Sequence, residues 1–375
     1  MRVLLVNDRS PAAGSGVEVH LGVLAGALEG AGDTVEMFAG EIVHRGPGRV
    51  LDVWDPWARR ALHRVAESFR PDVVHHHNVV RELSVSVLGV PPDKACVLSV
   101  HDVRLLTGAE GIRPPVAALP LTLGKRAKGV LDRSVAKRTV DVAIGHSDAI
   151  AARLRGMGFA AVRQAPPFAA VPSADVLAPP SSTAEILYAG RLSAEKGVDV
   201  LLDAFARVVA GHPDARLVVA GDGPDRQALL ARAAHTSGVE FTGVLERPDL
   251  EARMGRARAV VVPSLGAEGG PVVVVEAALA GRPTVVSDVP GAADLVVRHA
   301  NGFVVRPGDV AALTNAIETL LDDPAAADRL GDAGRSAALA HYSPDAAVGA
   351  VRAAYRDAIE LAGARARRGG VRPSG

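Results

Sequence analysis

RVLLVN (Arg2 to Asn7) is followed by DRSPAAGSG (Asp8 to Gly16) and then by VEVHLGVLAGALEGAG (Val17 to Gly32). The first stretch is a continuous apolar run of strand length, the pattern of a strand buried on both faces. The second is a loop of small residues. The third has apolar residues at helical spacing and ends in glycine. Strand, loop and helix in that order make half of a parallel βαβ unit.

The unit repeats along the chain. TVEMFAG reads as a second strand, and ARRALHRVAESFRPDVVHHH as a helix, a stop at Pro71 and a third strand, Val73 to His75. ACVLSVHD is a fourth strand. SVAKRTVDVAIGHSDAIAARLRGMG gives a helix, a strand from Val142 to Ile144 and a helix opening at Ser147. The proline-rich stretch Ala165 to Ser182 then breaks the pattern and reads as a linker. Beyond it the alternation restarts with the strands AEILYAGR, ARLVVAGDGP, VEFTG, RARAVVVPS, PTVVSD and NGFVVRPGD, spaced by helical segments. After HYSPD comes one long helix, Asp345 to Ala364, and then the tail RARRGGVRPSG, which has no periodicity and reads as solvated. The expected fold is α/β: two doubly wound, Rossmann-like domains with parallel sheets, facing a central cleft. The expected division is an N-terminal domain at 1–170, a C-terminal domain at 171–344, and a final helix and tail at 345–375 that pack back toward the N-terminal domain.

Composition narrows the function. At 375 residues the chain exceeds a typical single core. Lys plus Arg is 42 and so is Asp plus Glu, so no excess of positive charge points to nucleic acid. Cys96 is the only cysteine, which rules out an intramolecular disulfide and a cysteine zinc cluster. MRVLLVND is too short for a signal-peptide core, and no run of eighteen apolar residues is present. A cytoplasmic location is the expectation. LGKRAKGVLDRSVAKR, which includes the basic stretch Lys125 to Arg138, suits either a solvated helix face or an acidic membrane surface. The solvated face is the preferred reading.

In doubly wound sheets ligands sit beyond the carboxyl ends of the strands, so the loops there are where chemistry is sought. AEGGPVVVVEAALAG (Ala267 to Gly281) sets Glu268 and Glu276 eight positions apart. Pro271 suits the first position of a short helix to Ala280, with Gly281 just past its end. The helix N-terminus suits an anion, and the two carboxylates accept from sugar hydroxyls. Alternatively, Glu268 is a solvated loop residue and Glu276 a structural carboxylate paired locally. YAGRLSAEKG puts Gly190, Arg191 and Lys196 on a loop at a strand's carboxyl end, where two cations suit a diphosphate. A solvated basic loop with Lys196 paired to Glu195 is the bland alternative. AGSGVEVH supplies Gly14 and Gly16 for close backbone approach, but Val19 stands where a dinucleotide fingerprint needs a third glycine. His101 and Asp102 end the fourth strand, where a histidine can position or polarise a substrate. In VVHHHN only His75 and His77 share a face, and with no matching carboxylate or cysteine no metal is expected. A surface or acceptor-side role is the alternative for His77 and Asn78.

AGR…EKG, GDGP, VEFTG, PS…EGGPVVVVEA and GRPTVVSDVPG…NGFVV, in that order, resemble the C-terminal half of glycosyltransferase family 4, and GSGVEVH and VHD resemble its N-terminal motifs. The likeness covers most of the chain and is looser from Arg104 to Lys137. It implies the GT-B fold and a retaining transfer from a nucleotide-diphosphate sugar. It also implies catalytic roles for His101, Glu268, Arg191 and Lys196. Glu268 would take hydroxyls of the donor sugar, Glu276 the ribose, and Arg191 and Lys196 the diphosphate. Gly16, Gly190, Gly269, Gly270, Pro271 and Val272 would complete the donor site, with Val244 and Arg247 near the base. Gly14, His77, Asn78 and Asp102 would face the acceptor. Gly270 and Pro271 depart from the family's common aromatic and glycine, and Asp294 stands near where a glutamate is common.

No D-x-D pair lies where a metal-bridged diphosphate needs one, so the expected hexosyl transfer is metal-independent and uses no cofactor beyond the nucleotide-sugar co-substrate. The acceptor is a hydroxylated small molecule, such as a sugar-like or natural-product intermediate, or a lipid-linked one. Donor base, sugar, acceptor and oligomeric state stay open. The rivals are a nucleotide-sugar 2-epimerase on the same architecture, a non-catalytic nucleotide-sugar binder and a nicotinamide-dependent dehydrogenase.

Overall fold

The computed structural model describes residues 1–10, 16–40, 55–77, 79, 83–101, 119–268 and 270–368. The chain forms two compact units, one comprising residues 1–166 and 347–375, the other residues 167–346.

Unit 1 carries the strands β1 (Arg2–Asn7), β2 (Thr34–Ala39), β3 (Val73–His76), β4 (Ala95–Val100), β5 (Val142–Gly145) and β6 (Val162–Gln164). They form one parallel sheet in the order β2-β1-β3-β4-β5-β6. β1 buries all its residues after Arg2, as its unbroken apolar run requires. The helices are α1 (Gly16–Gly30), α2 (Pro56–Phe69), α3 (Leu119–Thr139) and α4 (Asp148–Gly156). Their limits follow local chemistry. Asp55 caps α2 by accepting from the Trp57 and Ala58 amides, and the helix stops at Arg70, ahead of Pro71. The Ser147 hydroxyl accepts from the Ile150 amide to start α4. Within the basic stretch, Val130, Leu131, Lys137 and Arg138 of α3 are exposed.

Unit 2 holds β7 (Glu185–Ala189), β8 (Arg216–Ala220), β9 (Val239–Gly243), β10 (Ala259–Val262), β11 (Thr284–Ser287) and β12 (Gly302–Val305), parallel in the order β12-β11-β10-β7-β8-β9. Ile186 and Tyr188 pack on one face against Leu202 and Phe205 of α5 (Val198–Gly211) and Ile317 of α10 (Val310–Asp322). Leu187, between them, packs on the other with Met254 of α7 (Arg247–Met254) and Val275 of α8 (Val272–Leu279). This is the period-two alternation of a sheet covered on both sides. The remaining helices of the unit are α6 (Arg226–Ala233), α9 (Ala293–His299) and α11 (Pro324–Tyr342).

Three elements, β6, α9 and α11, were not anticipated from the sequence. The buried residues of α11 are Ala327, Gly331, Gly334, Ala338 and Tyr342, a stripe at helical spacing made mostly of residues too small to register as hydrophobic. A Cβ on Gly331 would stand 2.2 Å from the Gly281 carbonyl oxygen, so the smallness is what lets this helix close on its neighbour. The stretch read as a linker is largely structural: Phe168 and Ala169 are buried, and the Ala178 amide donates to the Gly255 carbonyl. Pro271 precedes α8 as its cap rather than opening it.

The last helix, α12 (Pro344–Arg367), belongs to unit 1 from Ala347 onward. Tyr355 is fully buried there, and Arg352, Asp357 and Arg365 pair with Asp33, Arg163 and Asp141.

Candidate functional site

In unit 2 the chain runs outward from β7 to β9, then returns to the other side of β7 for β10. The strand order therefore reverses between β7 and β10, the topological switch point where doubly wound sheets bind ligands. The loop after β7 carries Gly190, Arg191 and Lys196; the loop after β10 carries Glu268. Three close approaches lock these loops. A Cβ on Gly197, whose φ is +64°, would lie 2.1 Å from the Pro263 carbonyl oxygen. One on Gly223 would lie 2.1 Å from the Leu192 oxygen, and one on Gly291 2.1 Å from the Glu268 oxygen. The Glu195 carbonyl accepts from the Leu265 amide at 2.8 Å.

Lys196 and Glu268 meet: the ammonium donates to both carboxylate oxygens, at 2.7 and 2.9 Å. The Ser264 hydroxyl donates to the same carboxylate at 2.5 Å. Glu268 is thus neither solvated nor isolated, and the partner of Lys196 is not Glu195. With two N–H groups engaged, the ammonium keeps one. Arg191 is exposed and makes no ion pair or side-chain hydrogen bond among the described residues. Its carbonyl is held instead by the Tyr188 hydroxyl at 2.8 Å, leaving the guanidinium available. Burial raises the Tyr188 pKa, with the Glu268 and Glu195 carboxylates adding to it, so the phenol stays protonated as a donor.

α8 is helical despite four consecutive valines because Val274, Val275, Ala277, Ala278 and Leu279 are all buried. The Val274 amide donates to the Pro271 carbonyl at 3.0 Å, whereas the amides of Val272 and Val273 precede the first possible intrahelical bond. Glu276, on the same helix, accepts from Arg247 at 2.5 Å, and Arg247 also donates to Glu251 at 2.6 Å. Burial alone would lower the Arg247 pKa; Glu276 and Glu251 more than offset it and raise it. The sequence had offered either a ribose acceptor or a locally paired carboxylate for Glu276. It is paired, with a partner 29 residues away that the family resemblance implies lies near the base. Val244, also expected near the base, is exposed, and Gly270 adopts a φ of +100° ahead of Pro271 and Val272.

In unit 1 the carboxyl ends of three neighbouring strands are each followed by histidine: His77 after β3, His101 after β4 and His146 after β5. His77 is fully buried, which excludes the surface role offered for it. Its Nδ1 is 2.9 Å from His101 Nε2. His75 lies between the Tyr355 hydroxyl at 2.8 Å and the Ser99 hydroxyl at 2.9 Å. Burial, reinforced by neighbouring imidazoles, holds His75, His77 and His101 well below the usual pKa and brings His146 down to about 3. All four are neutral at pH 7. Gly16 opens α1, which carries His20 inward. Gly14, Asn78, Asp102 and Gly269 lie outside the described residues. The sequence did not single out Ser264, Gly291, His20 or His146. For His146 the available signal was the recurrence of histidine directly after successive apolar strands; His20, on α1, carried none.

Solved structures of several glycosyltransferases share this architecture. The chain aligns with sucrose-phosphate synthase from Thermosynechococcus elongatus at a TM-score of 0.73 and 22% identity, over 95% of this chain and 98% of that one. With Anabaena HepE in complex with UDP and glucose the TM-score is 0.70 at 19% identity, covering 94% and 98%. The fold is GT-B. Residues 173–337 match the family model for glycosyl transferases group 1. Glycogen synthase of Mycobacterium tuberculosis is 39% identical over 160 residues, 42% of this chain and 38% of that protein. Alpha-D-kanosaminyltransferase of Streptomyces kanamyceticus is 33% identical over 175 residues, 46% and 45%. The chain thus spans less than half the length of these curated relatives. No helix among the described residues is long and apolar enough to cross a membrane.

Proposed function

We propose that this chain is a retaining glycosyltransferase of family 4, moving a hexose from a nucleotide-diphosphate sugar to a hydroxylated small-molecule or lipid-linked acceptor. The observation that carries the reading is the Lys196–Glu268 pair at the switch point of unit 2, with Arg191, whose guanidinium has no partner among the described residues, on the same loop as Lys196. Arg191 offers a planar fork suited to a phosphate, and Lys196 adds its remaining N–H and its charge. Glu268 is an acceptor for hydroxyls of the sugar, and Glu276 for the ribose. The match of residues 173–337 to group 1 transferases supports the donor side of the assignment.

In the transfer, the bond from the sugar's anomeric carbon to the diphosphate breaks, and a bond to the acceptor oxygen forms on the same face. The acceptor's proton passes to the departing diphosphate oxygen. Arg191, Lys196 and the free amides at the start of α8 stabilise the charge that develops there, in the role a magnesium or manganese ion would otherwise fill.

Arg191→Ala tests the assignment. Losing a charged hydrogen bond costs about 1.5–3 kcal/mol, so nucleoside-diphosphate affinity should fall about ten- to a hundredfold by calorimetry. Unchanged affinity together with unchanged turnover would remove the diphosphate from this loop.

A further inference from the structure

Three imidazoles from three separate elements of unit 1 converge: His20 on α1, His101 after β4 and His146 after β5. One ring nitrogen from each lies within 4.8 Å of the other two. The ring centroids of His20 are 5.3 Å from His101 and 5.4 Å from His146, and those of His101 and His146 are 4.4 Å apart.

The hydrogen bonding of His146 is one-sided. Its Nδ1 lies 3.0 Å from the Ala165 carbonyl, an acceptor only, so the proton of the neutral ring sits on Nδ1. Nε2 is then a bare lone pair, buried and without a hydrogen-bond partner. A nitrogen in that state is costly unless something accepts its electrons. A ring whose outer N–H is tied to a backbone carbonyl is also the arrangement that orients a metal-binding histidine. His101 is held from outside in a comparable way by His77. When His101 donates from Nε2 to His77 Nδ1, its own Nδ1 carries the free lone pair.

We propose that His20, His101 and His146 form a binding site for one divalent transition-metal ion of the kind imidazole favours, such as zinc or cobalt. Zinc–nitrogen bonds of about 2.0–2.1 Å place tetrahedral nitrogens about 3.4 Å apart. The three nitrogens, within 4.8 Å of one another, would close to that spacing around the ion, with the stacked His101 and His146 rings turning apart. Three protein ligands leave the fourth position for water or for a hydroxyl of a bound molecule. The site departs from the metal-free expectation drawn from the sequence. It also differs from a D-x-D magnesium site, having no carboxylate among its ligands. It shares His101 alone with the residues expected to act in the transfer, and its readout is metal binding rather than turnover.

The test uses the full chain without an added histidine tag, stripped with chelator and titrated with cobalt(II). The expected result is one ion per chain, with the visible d–d absorption of a four-coordinate site that an equivalent of zinc abolishes. His20→Gln, His101→Gln and His146→Gln should each weaken binding by about a hundredfold or more, exceeding the ~10–100-fold typical of outer-shell changes. His63→Gln and His235→Gln, at exposed positions, should leave it unchanged. Absence of the cobalt bands, or binding indifferent to all three cluster substitutions, overturns the site. Because a substitution in this packed cluster can unfold unit 1, X-ray absorption on the zinc-loaded unsubstituted chain supplies a second readout. Three imidazole nitrogens support the site; fewer overturn it.

Discussion

Glu268→Gln should weaken the nucleotide sugar without weakening the bare nucleoside diphosphate. The substitution keeps the size of the side chain but removes a negative charge that lies 2.7 Å from the Lys196 ammonium. The two side chains are only 12% and 25% exposed, so solvent screens the pair incompletely. For a nucleotide sugar, a carboxylate that accepts from hydroxyls is replaced by a neutral amide, at a cost of about 1.5–3 kcal/mol, or roughly one to two decades in affinity. For the bare nucleoside diphosphate no sugar contact is lost, and the phosphates meet a site one negative charge poorer. At roughly 6 Å the relieved repulsion amounts to about 0.7 kcal/mol in a water-like dielectric and about 2.8 kcal/mol at an effective value near 20. Diphosphate affinity should therefore hold or rise, by up to about a hundredfold. Glu276→Gln is the companion variant and should weaken both ligands, because the ribose is common to both. Isothermal calorimetry with each ligand at two salt concentrations reads all of this, since a rise from relieved repulsion shrinks as salt increases. Equal losses for sugar nucleotide and bare diphosphate in Glu268→Gln would refute the assignment of Glu268 to the sugar.

Gly291→Ala should disturb the same loop from beneath. Its φ of +88° and the Glu268 carbonyl 2.1 Å from an added Cβ predict a stability loss of about 1–3 kcal/mol and weaker donor-sugar binding. Gly349→Ala, with open space around it on α12, should leave donor binding untouched in the same calorimetric assay. Acid should destabilise unit 1 first. The folded-state pKa values of His75, His77, His101 and His146 lie below the usual 6.5, so the unfolded chain binds protons more readily. Their contribution is complete above about pH 6.5 and is lost as pH falls toward the His146 value of about 3. His146 by itself adds a slope of about 1.4 kcal/mol per pH unit within that window, and the other three add to it in the same direction. Urea midpoints of metal-stripped protein, followed by the fluorescence of Trp54 and Trp57, both in unit 1, should fall across that range. His146→Gln should flatten the curve, and a pH-independent midpoint would contradict the buried neutral cluster.

Periodicity made most of the scaffold legible. Continuous apolar runs such as Arg2 to Asn7 and Ala259 to Val262 cannot be solvated on either face, so they become central parallel strands whatever surrounds them. Glycine, proline and capping residues then fixed the ends, as Ser147 does for α4. Elements whose signal is small or short escaped: α11 buries alanine and glycine, and β6 has three residues at a sheet edge. The sequence also marked Arg191, Lys196, Glu268 and Glu276 as charges near strand ends, where the fold puts ligands. What it left open was pairing, because an ion pair depends on distance in space and not along the chain. Lys196 bonds a carboxylate 72 residues away rather than its neighbour Glu195, and Glu276 bonds Arg247 across 29. The histidines show the same limit more sharply. His20, His101 and His146 share no local pattern, and only the parallel order β1-β3-β4-β5 carries a helix turn and two strand ends to one place. Sequence determined which segments had to be buried; the crossing of those segments decided which side chains became neighbours.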